Sequence, residues 1–217
     1  MAYVAGGGLN LRWFRDEICG PEKAAWHEAG LEAYDELCRL AAATPPGADK
    51  LVFLPHLGGR NTPNNTDMRG LFVGLNWKHG KGHMFRAMME GIGYEYALYL
   101  RSVRSIAPDI RPTRALSIGG GAKSRVFLQI KADILGLPYQ GLDRAEFGTL
   151  GAAIVAGKAV GLFDDLGATA QRLSRPTGDP VLPRPEHRAR YDAYAAFYAD
   201  LVDDKAGLFS RLAAVEG

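Results

Sequence analysis

The chain has 217 residues, 47% of them hydrophobic, which suffices for one large or two small packed domains and marks a globular protein. Its 26 Lys and Arg stand against 24 Asp and Glu, a formal charge of +2 spread along the chain rather than gathered in blocks, so neither nucleic acid nor an anionic membrane is called for. Cys19 and Cys38 show no CxxC spacing, which argues against a zinc site or disulfide framework, and no run approaches the roughly 18 apolar residues of a membrane span, so a cytoplasmic location is expected.

The chain enters at once into ordered-looking sequence, Met1-Ala-Tyr-Val-Ala-Gly-Gly-Gly, with no polar leader, and this suggests that it opens inside a larger fold. From Pro21 to Ala43 the apolar positions Ala24, Ala25, Leu31, Tyr34, Leu37, Cys38 and Ala41 recur at helical spacing, with Pro21 suited to a first turn. This predicts one helix, ended by Thr44-Pro-Pro-Gly47. Lys50 to Leu54 reads as a buried strand, and Pro55 to Met68, with two glycines, a proline and paired asparagines, as a long irregular loop.

Leu71 to Leu75 is a further candidate strand. A long helix is predicted from His83 to about Ile106, with Met84, Ala87, Met88, Ile92, Tyr96, Tyr99 and Val103 on one broad face. Gly91 and Gly93 inside it each cost about 1 kcal/mol relative to Ala, which points to close approach of another backbone. Ala115 to Ile118 reads as a buried strand, followed by a helix with Val126, Phe127, Ile130, Ile134 and Leu135 on one face and capped by Gly136 before Pro138. A short Tyr139 segment, a helix from Thr149 to about Val160, a proline-rich connector from Pro176 to Pro185 and a helix from Glu186 to about Val202 complete the chain. In the last helix Tyr191, Tyr194, Phe197, Tyr198 and Leu201 are expected to face a core. Strands mixed with helices place the chain in the α/β class.

Gly119-Gly120-Gly121 lies at the strand-to-helix junction, where bare backbone and free N–H groups favour anionic oxygens. Neither standard phosphate motif fits. A P-loop needs Gly before Lys-Ser where Ala122 stands, and a dinucleotide fingerprint needs Gly where Ser124 stands. From the glycines alone, a ligand-free tight turn and a phosphate cradle remain open. His27, His56, His79, His83 and His187 form no metal-like helical pair; His79 and His83 come nearest, but His79 precedes the helix. Glu90 and Glu95 are candidate acid-base groups or ion-paired helix residues, Asp67 and Asp133 are equally ambiguous, and no Ser-His-Asp set can be argued.

Four segments together resemble the C-terminal domain of the FGGY carbohydrate kinases. The strongest is Gly70-x-Phe72-x-Gly74-Leu75, then seven residues, then His83-Met84-x-x-Ala87-Met88-Met89-Glu90-Gly91. Gly119-Gly120-Gly121-Ala122-Lys123-Ser124 with Gln129 to Pro138 resembles the family's adenosine-binding segment, and Phe147-Gly148-Thr149-Leu150-Gly151-Ala152-Ala153 its closing helix. Gly7-Gly8 with Arg12-Trp13-Phe14-Arg15-Asp16 is similar to the family's glycine-rich entry to the domain.

The resemblance covers about residues 4 to 163 and implies an actin-like, ribonuclease-H-like ATPase domain, with a mixed sheet flanked by helices. It implies ATP as cofactor, with Mg²⁺ bound through the phosphates. Gly119, Gly120, Gly121 and Ala122 would lie against the α-phosphate and adenosine, and Gly8 would approach the nucleotide. Arg12 and Arg125 stand where related kinases place Gln and Asn near the nucleotide; an arginine there can reach a phosphate or stack on adenine. The loop Pro55-His56-Leu57-Gly58-Gly59-Arg60-Asn61-Thr62-Pro63 departs from the relatives' Pro-Tyr-Leu-x-Gly-Glu-Arg-x-Pro by a basic residue in place of an acidic one.

The family's Asp-x-Gly-Thr phosphate loop and the Asp that takes the sugar proton belong to an N-terminal domain without counterpart in this sequence. The expectation is therefore a single domain over 1–217 that transfers the γ-phosphoryl group of ATP to a sugar hydroxyl, of a pentulose such as xylulose, only with an N-terminal domain from a split-chain partner; a homodimer is the other partner considered. The competing expectation is a non-catalytic nucleotide-binding or dimerisation module. A nicotinamide-dependent dehydrogenase is weakened by the failed glycine fingerprint.

Overall fold

Helix α4, Lys81–Ile106, is the axis of the core. Its stretch from Phe85 to Glu95 is buried on every side, because α3 (Ala33–Ala43), β1 (Val52–Leu54), α5 (Arg125–Leu135) and α8 (Arg188–Ala213) all pack on it. The computed structural model describes residues 4, 6–143 and 146–215. Of the two helix glycines expected to meet another backbone, Gly91 does, whereas Gly93 meets a side chain. A Cβ on Gly91 would fall inside the carbonyl oxygen of Phe53, and one on Gly93 would meet the Ile134 methyl at 2.6 Å, so α4 lies directly against β1 and α5.

The N-terminal part is helical: α1 (Gly7–Trp13) runs through a π-helical turn at Phe14–Ile18 into α2 (Gly20–Glu28). The single helix expected over Pro21 to Ala43 is in fact α2 and α3, split at Ala29 to Glu32. Gly30 adopts φ +71°, and the Gly30 and Leu31 amides donate back to the His27 and Trp26 carbonyls, so the orphan carbonyls of α2 are met by a left-handed cap rather than by more helix.

Strand β1 pairs antiparallel with β4 (Leu71–Val73), joining Val52 to Val73 and Leu54 to Leu71. The intervening loop is more regular than expected: β2 (Arg60–Asn61) and β3 (Asn64–Asn65) form a minimal hairpin inside it. A second sheet has the order β5-β6-β7, with β5 (Ala115–Ser117) parallel and β7 (Pro176–Val181) antiparallel to β6 (Tyr139–Leu142). The proline-rich stretch expected to be a connector is thus largely strand. Pro176 and Pro180 lack an amide donor, and an edge strand tolerates that loss.

Helices α6 (Phe147–Ala159) and α7 (Leu166–Leu173) follow β6; α7, unread in the sequence, starts where the Asp165 carboxylate accepts from the Ala168 amide at 2.6 Å. Helix α8 extends well past Val202, and Phe197, expected in the core, is exposed, whereas Tyr191 and Tyr198 are fully buried. Buried polar networks lock α8 to its neighbours. Glu90 accepts from Arg86 Nε at 2.7 Å, Tyr191 OH at 2.8 Å and the Gly47 amide at 3.0 Å. Glu95 accepts from Arg60 and Tyr198, and Asp133 from Arg184 and Gln129. The two glutamates weighed as acid-base groups are therefore bound into fixed partners of the fold.

Candidate functional site

The junction between β5 and α5 is built from the backbone outwards. Gly119 takes φ +77°, a conformation open to glycine, and lets the chain turn sharply into the 3₁₀ turn Gly120–Ala122. Ser124 then caps α5, its Oγ accepting from the Phe127 amide at 3.2 Å, and Gly136 at φ +64° closes the helix. A Cβ added at Gly119, Gly120 or Gly8 would meet nothing within 4 Å, so these positions face open space in which a ligand can lie against main chain.

Gly8 and Gly120 also line a cavity of about 470 Å³. Gly8 of α1 and Gly120 and Gly121 of the turn line one part of it, Tyr34, Asp35 and Cys38 of α3 another. Phe85, Met89 and Tyr96 of α4 with Phe127 and Lys131 of α5 form a third part, and Leu11, Ser117, Ile118, Lys123 and Ser124 complete the wall. Of the residues selected from sequence, Gly8, Gly120 and Gly121 thus come together, with Gly119 and Ala122 in the same turn. Arg12 and Arg125 are not among the lining residues. Arg12 is exposed and pairs with Asp16 at 3.5 Å, and Arg125 begins α5 on the solvent side.

Lys131 was missed by the sequence reading. Its side chain is 5% exposed, donates to Ser117 Oγ at 3.0 Å, and lies over the rings of Phe127 at 4.5 Å and Tyr139 at 5.0 Å. Burial pushes its ammonium down to about 8. The signal was present, since Lys131 falls on the apolar stripe of Phe127, Ile130 and Ile134. Cys38 Sγ and Ser124 Oγ are 3.2 Å apart, and burial raises the thiol above its ordinary value. Among the described residues no group of three His, Cys, Asp or Glu could hold a metal ion. The donor-rich glycine turn suits an anionic ligand, and a cation there would be carried by that ligand.

A mixed sheet flanked by helices, with a glycine turn leading from a parallel strand into a helix, is the arrangement of the actin-like ATPase class. The chain matches the model of the FGGY family of carbohydrate kinases, C-terminal domain, over residues 1–160, and it belongs to that family. Gluconokinase of Bacillus subtilis is 36% identical over 172 residues, which is 78% of this chain and 33% of that protein. A xylulose kinase of Staphylococcus epidermidis is 33% identical over 199 residues, 91% of this chain and 38% of its own length. The crystal structure of xylulose kinase from Rhodospirillum rubrum superposes with a TM-score of 0.76 at 30% identity, covering 94% of this chain and 39% of that one. The chain therefore spans between a third and two fifths of the length of these relatives. Among the described residues no helix is long and apolar enough to cross a membrane.

Proposed function

We propose that the chain, as one domain over 1–217, is the ATP-binding half of a cytoplasmic sugar kinase that moves the γ-phosphoryl group of ATP to a hydroxyl of a pentulose such as xylulose. The observation that carries this reading is the convergence of Gly8 with Gly120 and Gly121 on one cavity, with open space above Gly8 and Gly120. Backbone amides of the turn and the N-terminal end of α5 would hold the phosphates, and Gly119 and Ala122 would set the turn's shape. ATP supplies the transferable phosphoryl group, and Mg²⁺ would enter on its phosphates. Phosphoryl transfer is mainly positioning and charge stabilisation, and this chain would supply the nucleotide side of both. The carboxylate that takes the sugar proton is expected from an N-terminal domain, and the names of the relatives support either a pentulose or gluconate as acceptor.

Calorimetry with ATP-Mg²⁺ tests the reading. The isolated chain should bind the nucleotide, should turn over xylulose negligibly, and should lose binding in Gly120→Val, which fills space that no protein atom occupies and leaves the fold intact. Binding that survives Gly120→Val moves the nucleotide elsewhere, and absence of binding even with an N-terminal half supplied favours the non-catalytic module.

A further inference from the structure

The residues that line the cavity beside the glycine turn are of two kinds. Asp35, Lys123 and Gly120 are exposed, whereas Leu11, Phe85, Met89, Phe127, Ser117 and Lys131 are buried. The buried set is apolar except for Ser117 and Lys131, and these two are bonded to each other, Lys131 Nζ donating to Ser117 Oγ at 3.0 Å. The buried lining therefore carries a single formal charge, and it is positive.

That charge has no counter-ion in the chain. Among the described residues Ser117 Oγ is the one hydrogen-bond partner of Lys131 Nζ, and no carboxylate forms an ion pair with it. An ammonium has three N–H donors, so two are left over. The faces of Phe127 and Tyr139, at 4.5 and 5.0 Å, attract the cation through their quadrupoles but carry no net charge. A buried cation without a partner opposes folding. A methionine at this position would span a similar length without burying a charge, so packing alone gives no reason for an amine here.

We propose that the buried part of the cavity binds a small monocarboxylic acid with an apolar body, its carboxylate paired with Lys131 and Ser117. Charge selects the anionic group. A carboxylate neutralises one ammonium, whereas a doubly charged phosphate would leave net negative charge in an apolar interior. The spare N–H groups of Lys131 and the Ser117 hydroxyl donate to the two carboxylate oxygens. Leu11, Phe85, Met89 and Phe127 surround the body, aromatic or branched, and a volume of about 470 Å³ is ordinary for a small-molecule pocket. The acid site does not rest on the kinase reading, which places phosphates against the main chain of the exposed glycines.

Calorimetry on the full chain at pH 7 tests this with two acids, phenylacetate and 4-methylpentanoate, with the neutral isostere phenylacetamide, and with inorganic phosphate. At least one acid should bind, and phenylacetamide and phosphate should each bind roughly 10-fold or more weaker, the ordinary worth of a charge-assisted hydrogen bond. Lys131→Met should weaken the acid by a similar factor and leave phenylacetamide unaffected, with a urea midpoint no lower than that of the wild type. Ser117→Ala should weaken the acid by a smaller factor. Absence of binding by both acids, equal affinity for acid and amide, or acid binding that survives Lys131→Met would each overturn the proposal. Inorganic phosphate bound more tightly than either acid, and lost in Lys131→Met, would assign the amine to phosphate and also overturn it. Acid binding in a chain that binds no ATP-Mg²⁺ leaves the acid site standing and removes the nucleotide reading.

Discussion

Cys38 Sγ lies 3.2 Å from Ser124 Oγ, so a thiol on α3 touches the residue that caps α5. Ser124 holds the first turn of the helix through the Phe127 amide, at the point where the glycine turn ends. One hydroxyl thus serves both the cap and the contact between two walls of the cavity. Ser124→Ala should destabilise the chain by about 1 kcal/mol, the ordinary worth of an N-cap, as read from the urea midpoint. Cys38→Ala should cost less. The double variant should cost less than the sum of the two, because each single change already breaks the shared contact. Full additivity would show that the thiol and hydroxyl do not interact.

Helices α4 and α5 and the glycine turn were legible because each carries a local reason. Gly136 stands at a left-handed cap, Ser124 at an N-cap, and the Phe127 to Ile134 stripe faces the core. What was misread had a competing local signal. Gly30 ended α2, but the apolar period of α3 continued in step and made two helices look like one. Pro176 to Val181 looked like a linker because proline usually breaks a ladder, and only its place at the sheet edge permits it. The glycines of the site were readable, and Lys131 left a trace as a cation on the apolar stripe of α5; Tyr34 and Cys38 were not readable, because their role depends on α3 and α5 meeting across the cavity.

Gly91 and Gly93 separate two kinds of close approach. A Cβ at Gly91 meets the carbonyl oxygen of Phe53, which is main chain of a buried strand and cannot move without disturbing the β1–β4 pair. At Gly93 the obstacle is the terminal methyl of Ile134, which can rotate. Both changes gain about 1 kcal/mol of helix propensity. Gly91→Ala should nevertheless destabilise by about 3 kcal/mol from overpacking, and Gly93→Ala by about 1 kcal/mol or less. Equal losses in thermal or urea melts would refute the distinction.

Lys131 gives the chain a stability slope in alkali. Burial lowers its ammonium from the usual 10.5 to about 8. Between those values the unfolded chain holds a proton that the folded chain has released, so folding stability rises with pH across that window and is flat for this group below it. The contribution is on the order of 3 kcal/mol in total. Lys131→Met should remove the slope and should be neutral or stabilising at pH 7, since it replaces a buried cation with a side chain of similar length. The comparison is the urea midpoint of both proteins from pH 7 to pH 10, where the tyrosines titrate alike in each. Parallel curves would show that the amine is not held in its neutral form.

His56 sets the opposite, acidic limit. It is fully buried, 3.7 Å from Glu95, and neither ring nitrogen has a hydrogen-bond partner among the described residues. Burial holds the imidazole down at about 4, against the pull of Glu95 and with the help of Arg60. As pH falls from 6.5 towards 4, the unfolded chain takes up a proton that the folded chain refuses, and stability is lost through that window. The loss is on the order of 3 kcal/mol for this group. His56→Phe keeps a ring in the site and removes the titration, so the variant should hold its urea midpoint between pH 6.5 and pH 4.5 better than the wild type. Glu95 keeps its partners Arg60 and Tyr198 in that variant, so the carboxylate does not confound the comparison. If the two proteins lose stability in parallel over this range, His56 is already charged in the folded chain and forms an ion pair with Glu95.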